Sequence, residues 1–214
     1  MSDPAPYMKR PLEEYLADAS SNAPTPGGGS VSALAAALGT TMASMAANFT
    51  VGKKKYADVE EEVRGLLARL AEARDRLTAA VQADTEAYAK VSAAYGMPKS
   101  SDEEKAARKV AIQAGLKAAM QPPLEALRAS RAAMTATRRL LDVANKNLIT
   151  DVGVAAILLE AAARGAYLNV AINLKSLKDE ETVAAARAEC DEALSEMATS
   201  AAEVAAGVAG AVAG

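Results

Sequence analysis

The chain lacks histidine altogether, has no tryptophan, one phenylalanine and one cysteine in 214 residues. Without histidine the usual general base, the commonest zinc ligand and every Ser–His or Cys–His nucleophile pair are excluded. Chemistry is left to carboxylates, lysines, tyrosines, hydroxyls, amides and helix dipoles, and no metal is expected. The single Cys190 cannot form an internal disulfide, and between Glu189 and Asp191 it has no positive neighbour to favour the thiolate, so it reads as inert. The first residues, MSDPAPYMKRP, lack the apolar stretch of a secretory signal, and a reducing cytoplasmic compartment is expected. A formal charge of −3 gives no basic field for nucleic acid. Charge-free apolar runs such as Val152 to Leu159 and Val204 to Gly214 fall short of the ~20 residues that cross a bilayer, so no membrane span is expected.

What is present is small and apolar. Half the residues (51%) are hydrophobic while only 3% are aromatic, and alanine fills much of the difference, a composition suited to many closely packed helices. No alternating strand pattern competes, so the fold class expected is all-α: an antiparallel bundle of about six helices in a single domain over 1–214. Its core is expected over about residues 10–200.

A short helix is predicted from about Pro11 to Ser20, with Leu12, Tyr15 and Leu16 on one face. It ends before SNAPTPGGG, whose prolines and glycines cannot continue it. Ser30 is a candidate cap for a second helix ending at Gly52, in which Val31, Leu34, Leu38, Met42, Met45 and Phe49 recur at helical spacing. From about Asp58 to Tyr95 a long amphipathic helix carries Val59, Val63, Leu66, Leu70, Leu77, Val81 and Tyr88 along one stripe. Ser101 or Asp102, followed by Glu103 and Glu104, starts another, and Pro122 and Pro123 interrupt it at a helix-to-helix junction. Thr150 or Asp151 is a candidate cap for a helix from Val152 to Leu174 that is apolar nearly all round and therefore central. A last helix from about Glu180 decays into an Ala/Val/Gly tail expected to fray.

Several segments could carry chemistry. Pro24 to Ser30, PTPGGGS, enters a helix amino terminus, where close backbone approach and free amide donors suit an anion or an electron-rich ring; the alternative is a flexible turn with a serine cap. It matches neither the Walker nor the dinucleotide pattern. Lys53, Lys54 and Lys55 with Tyr56 form either a solvated helix end or a group that binds a carboxylate or handles a proton. Asp84, with Tyr88 one turn on, matters if it faces inward beside the glycine loop. Asn145, Asn147 and Asp151 crowd the junction before the central helix; Asn169 and Asn173, one turn apart within it, read first as structural hydrogen bonders.

In order along the chain, PTPGGGSVSALAAALG, GKKKY, DTEAYAKV, YGMPKSSDEEKAAR, NKNLITDVGVAA and AYLNVAINLK resemble the cyclodeaminase/cyclohydrolase family of folate enzymes, over about Leu12 to Glu181. The resemblance implies an all-helical homodimer that binds a reduced folate near the glycine loop and acts on the carbon bridging two folate nitrogens. One member reaction closes formiminotetrahydrofolate to methenyltetrahydrofolate with loss of ammonia; the other opens methenyltetrahydrofolate with water to 10-formyltetrahydrofolate. Both need proton transfers and no cofactor. The lysine run and YGMPK resemble the stand-alone cyclohydrolases, where the bifunctional deaminase tends to carry arginines, so the hydrolase is the expectation and the cyclodeaminase the alternative. Ala144 stands where relatives usually have glycine, and Thr150 where many have serine.

Carried onto these positions, the resemblance makes Pro26, Gly27, Gly28, Gly29 and Ser30 a cradle for substrate, with Lys54, Lys55, Tyr56, Asn145 and Asn147 also binding. Lys53, Asp84, Asp151 and Gln113 are the catalytic candidates: Lys53 for the developing adduct, one carboxylate to hold the pterin and the other to activate water, Gln113 to orient it. A helical adaptor with no pocket is the rival from another class. The enzyme reading requires the glycine loop, the lysine run and the Asn145 to Asp151 segment to converge on one concave site.

Overall fold

The structure is a computed structural model and describes residues 5–213. Every regular element among them is helical: α1 (Leu12–Ala19), α2 (Gly28–Asn48), α3 (Glu60–Tyr95), α4 (Asp102–Ala119), α5 (Gln121–Val143), α6 (Ile149–Leu174) and α7 (Glu180–Ala213), with 3₁₀ turns at Tyr7–Lys9, Lys54–Val59 and Lys146–Leu148. The six long helices, α2 to α7, are the bundle expected. Helices α3, α2, α6 and α7 lie side by side in that order, α5 packs behind all four, and α4 lies against α3.

Small side chains hold the centre. Helix α2 buries Ala33, Ala36, Ala37, Ala43, Ala46 and Ala47, so its neighbours approach closely. A β-carbon on Gly39 would sit 3.0 Å from the Ala155 carbonyl, and one on Gly165 would overlap Ser32 Oγ. The large residues predicted to face the core therefore have no room between α2 and α6, and they turn outward: Val31, Leu38 and Phe49 are exposed, while Leu34, Met42 and Met45 are half-buried. The expectation that α6 is buried all round fails for the same reason, with Val154, Ile157, Leu168 and Ile172 exposed. In α1 only Tyr15 is buried, and Leu12 and Leu16 face outward. By contrast, the α3 stripe is inward over its middle, with Val63, Leu66, Leu70, Leu77 and Val81 buried, whereas Val59 falls in the preceding 3₁₀ turn and Tyr88, where the helix passes the glycine loop, is exposed.

The boundaries add three corrections. Helix α2 starts at Gly28, with Gly27 rather than Ser30 at the cap, and gives way before Gly52. Neither Thr150 nor Asp151 caps α6, which begins at Ile149; the Asn145 carboxamide instead accepts from Asn147 N at 3.1 Å and closes the preceding turn. The tail continues α7 to Ala213, because its small residues lie close on their neighbours: Val204 is fully buried, and a β-carbon on Gly207 would meet Leu141 Cδ2 at 2.6 Å.

Other expectations stand. Ser101 caps α4 in a capping box with Glu104, and Pro122 and Pro123 occupy the first turn of α5, where a missing N–H costs no helical bond. Helix α2 is, contrary to the expectation, long and apolar enough by length and composition to cross a bilayer. Its apolarity has a packing account: more than half of that stretch is buried among α3, α5 and α6.

Candidate active site

Asp84 sits on α3 where that helix passes the start of α2. Its Oδ2 accepts from the Ser30 backbone N–H at 2.9 Å, one of the free amides of the α2 amino terminus. The side chain of Ser30, fully buried, does a different job from capping. Its hydroxyl donates to the Val81 carbonyl at 2.9 Å, so the Tyr15 hydroxyl, 3.0 Å away, must be the donor to Ser30 Oγ. Tyr15 in turn meets Tyr7 edge to face at 5.2 Å. Thus α1 and the segment before it pin the α2 amino terminus to α3.

The glycines make this contact possible. A β-carbon on Gly29 would overlap Asp84 Oδ1, and one on Gly28 would come 3.0 Å from Asn169 Nδ2. Around them opens a cleft of about 380 Å³. Gly27, Gly28 and Asp84 form its polar floor, Tyr88 and Tyr95 one wall, Asn169 and Asn173 the other. Pro26 is buried beside it. Burial holds the Asp84 carboxyl above its ordinary range, against the opposing pull of the Ser30 N–H. No lysine or arginine pairs with it among the described residues.

The two asparagines are spaced to present acceptors. Asn169 Nδ2 donates to Gly165 O at 2.9 Å and Asn173 Nδ2 to Asn169 O at 2.8 Å, and neither carboxamide oxygen accepts a hydrogen bond among the described residues. By sequence both are structural hydrogen bonders or ligand contacts with the structural role favoured, which their place in the cleft corrects, and Tyr95 is not singled out. The signal was nonetheless there: Asp84, Tyr88, Val91 and Tyr95 recur at steps of four, three and four, one face of a helix.

The predicted convergence does not occur within one chain. Lys53, Lys54, Lys55 and Tyr56 follow the carboxyl end of α2, whose 21 residues span about 30 Å from the glycine end. Asn145, Asn147 and Asp151 lie at that same far end. There Tyr56 OH accepts from Lys146 N at 3.2 Å and lies 3.5 Å from Asn145 Oδ1, while Asn145 N donates to Thr50 Oγ1 at 2.8 Å. Gly52, at φ +74°, turns the chain into this knot. Lys53, Lys54 and Lys55 are exposed and form no ion pair among the described residues. Asp151 sits in the first turn of α6, where its charge suits the helix dipole. Gln113 lies near the cleft, but both ends of its amide hold the α6–α7 loop, donating to Ser176 O at 3.0 Å and accepting from Lys178 N at 2.7 Å.

A wider depression of about 540 Å³ lies between α3 and α5. Its two arginines are already matched, Arg76 with Glu125 and Arg128 with Glu189, each at 2.5 Å, and Lys90 is its one lining cation without an ion pair among the described residues. The glycine cleft, with an unmatched carboxylate and free acceptors, is the better candidate.

Residues 11–192 match the family described as formiminotransferase-cyclodeaminase. The chain belongs to this family. Among the relatives of this formiminotransferase-cyclodeaminase family member is a protein of Methylorubrum extorquens named methenyltetrahydrofolate cyclohydrolase, 42% identical over 168 residues, which cover 78% of this chain and 81% of that one. The formimidoyltransferase-cyclodeaminase of Gallus gallus is 35% identical over 174 residues, 81% of this chain but 32% of that longer protein. Among solved structures, formiminotetrahydrofolate cyclodeaminase from Thermotoga maritima superposes with a TM-score of 0.86 at 33% identity, covering 96% of this chain and 98% of the other. The family fold is thus shared over nearly the whole length.

Proposed function

We propose that this protein is a methenyltetrahydrofolate cyclohydrolase, opening 5,10-methenyltetrahydrofolate with water to 10-formyltetrahydrofolate. The observation that carries the reading to this chain's own chemistry is Asp84, a partly buried carboxylate hooked to the Ser30 amide on the floor of the cleft. The 42% identity with a relative of that name over most of both chains supports the choice of reaction.

The substrate is a cationic amidinium, and Asp84 is an anion without a cationic partner among the described residues, so the cleft complements the reacting centre. Water adds to the bridging carbon, forming a C–O bond. Its proton passes to Asp84, whose raised pKa suits a base that must later give the proton up. One C–N bond then breaks: the departing nitrogen takes the proton back from Asp84 while the adduct's hydroxyl, becoming the formyl carbonyl, gives its own proton to solvent, so one proton is released and the formyl product is neutral. Tyr88 and Tyr95 offer faces for the aromatic rings of a folate, and Asn169 and Asn173 offer acceptors for its N–H groups. The reaction is a hydration with proton transfers and asks for no cofactor. Cytoplasmic residence and a homodimer belong to this reading, the latter supported by the exposed apolar face of α2 and α6.

The cyclodeaminase reading is favoured by one observation, the 0.86 TM-score to a cyclodeaminase over nearly all of both chains. One experiment separates the two: loss of methenyltetrahydrofolate absorbance above its spontaneous hydrolysis, beside ammonia release from the formimino compound. Hydrolysis without ammonia release is expected. Ammonia release with growth of the methenyl band would replace the hydrolase by the deaminase, and silence in both would overturn the enzyme reading.

A further inference from the structure

We propose that the groove on α4 lined by Lys99, Arg108 and Lys109 receives the carboxylates at the glutamyl end of the substrate, which lies outward from Asp84 along the seam between α3 and α4. The identity of the ligand rests on the functional reading above; the track itself rests on the packing and charge of these two helices.

Helix α4 runs back along α3. A β-carbon on Gly115 would sit 3.4 Å from Val91 Cα, while Arg108, two turns earlier, lies against Tyr95, one turn later. On α3 the cleft residues Asp84, Tyr88, Val91 and Tyr95 share one face. On α4 the answering face is Ala119, Leu116, Ile112 and Arg108, at steps of three, four and four. Ala119 and Leu116 line the cleft, and Ile112 and Arg108 line the groove, so one seam joins the two. From Asp84 to Tyr95 α3 advances about 16 Å, a span suited to an extended aryl-glutamyl arm.

Charge is ordered along this seam. Its inner end holds Asp84, an anion without a cation, and its middle is apolar, with Val91 and Leu116 buried. Its outer end is a depression of about 340 Å³ lined by Lys99, Lys105, Arg108 and Lys109. Asp102 matches Lys105 at 2.8 Å, but Lys99, Arg108 and Lys109 form no ion pair among the described residues, in a chain whose net charge is −3. Arg108 is also held in place. Its Nε and Nη2 donate to the Tyr95 carbonyl at 3.3 and 3.0 Å, which fixes the guanidinium plane and leaves Nη1 for a carboxylate. The substrate carries the reverse order: an amidinium cation, an aryl ring, then two carboxylates. Laid with its cation at Asp84 it meets opposite charge at both ends; turned end for end it meets like charge at both.

Kinetics with two substrates test this: methenyltetrahydrofolate, and an analogue truncated to a neutral benzamide in place of the glutamyl end. For the wild-type protein truncation should raise KM about tenfold and change kcat little, because the reacting end is unaltered. In a chain carrying Lys99→Ala, Arg108→Ala and Lys109→Ala, KM for the full substrate should rise to that of the truncated one, and truncation should then make no difference. Lys109 is exposed and unpaired, so Lys109→Glu gives a second variant whose folding is not at stake; it should raise KM for the full substrate alone. A wild-type protein indifferent to truncation overturns the proposal, as does wild-type KM in both variants. Equal losses on the two substrates would mark the cations as structural and overturn it too. A wild-type protein silent on methenyl and formimino substrates alike would sink the functional reading alone, and equilibrium binding of p-aminobenzoylglutamate then decides the subsite. Binding that weakens in the triple variant supports the subsite; no binding, or binding equal in both proteins, overturns it.

Discussion

The Asp84 carboxylate occupies the space that a β-carbon on Gly29 would fill. The second glycine of that pair of contacts, Gly28, gives the same access to Asn169. The glycine triplet therefore serves approach between side chains and backbone, not flexibility. Gly29→Ala should push the carboxylate off the Ser30 amide, costing about 1–3 kcal/mol by overpacking. Turnover should fall with it by ~10²-fold, since the base is then misplaced. Denaturant melts beside kcat/KM check this; an alanine variant with wild-type turnover would break the link between the glycine and the base.

Asp84→Asn should keep the Ser30 contact, because a carboxamide oxygen accepts from an N–H as a carboxylate does, while removing the base. Turnover should drop ~10²-fold or more. Its stability should differ from wild type in a pH-dependent way. Burial raises the folded carboxyl above its unfolded value, so the native state holds the proton more tightly. Wild-type stability is then lost as pH rises from about 4, the unfolded value, through the raised folded value. The variant lacks this loss. Unfolding curves across that window should show Asp84→Asn gaining on wild type as pH increases; a gap that shrinks contradicts the burial account.

Gly52 poses the opposite case from Gly29. Its backbone lies at φ +74° and nothing stands within 4 Å of an added β-carbon, so alanine there meets conformational strain and no clash. Gly52→Ala should cost about 1–2 kcal/mol. Denaturant melts of the variant beside wild type read this difference. Unchanged stability would mean the turn relaxes to negative φ.

The helices were legible because periodicity is local: the α3 stripe from Val63 to Val81 is apolar at helical spacing and is buried. The orientation of α2 was not, for a reason specific to alanine. Val31, Leu38 and Phe49 carry the largest apolar area, yet the closest packing belongs to Ala36, Ala43 and Ala46 beside Gly39, where only small side chains admit a neighbouring helix. A reading weighted by size picks the wrong face. Within the site, Asp84 and the glycine loop were legible from motif and dipole, but Asn169 and Asn173 were not, since nothing local tells a buried structural amide from one lining a cleft. Nor does order along the chain reveal that Asp84 and Lys53 lie at opposite ends of α2.

Asn169 provides the most discriminating test of the cleft's electrostatics. Its side chain stands beside Gly28 as Asp84 stands beside Gly29, so the two face the same cleft from α6 and α3. Asn169→Asp keeps the size and adds a negative charge near Asp84. Two carboxylates sharing a site cannot both ionise easily, so the acid limb of the rate profile should move to higher pH by about one unit or more. At neutral pH turnover should fall, and raising the pH should restore part of it. Asn169→Ala removes the amide without adding charge: it should raise KM through the lost acceptor and leave the acid limb in place. Full pH profiles of kcat/KM for the two variants separate these effects. An identical limb in both would mean that Asp84 is not the group whose ionisation governs the reaction.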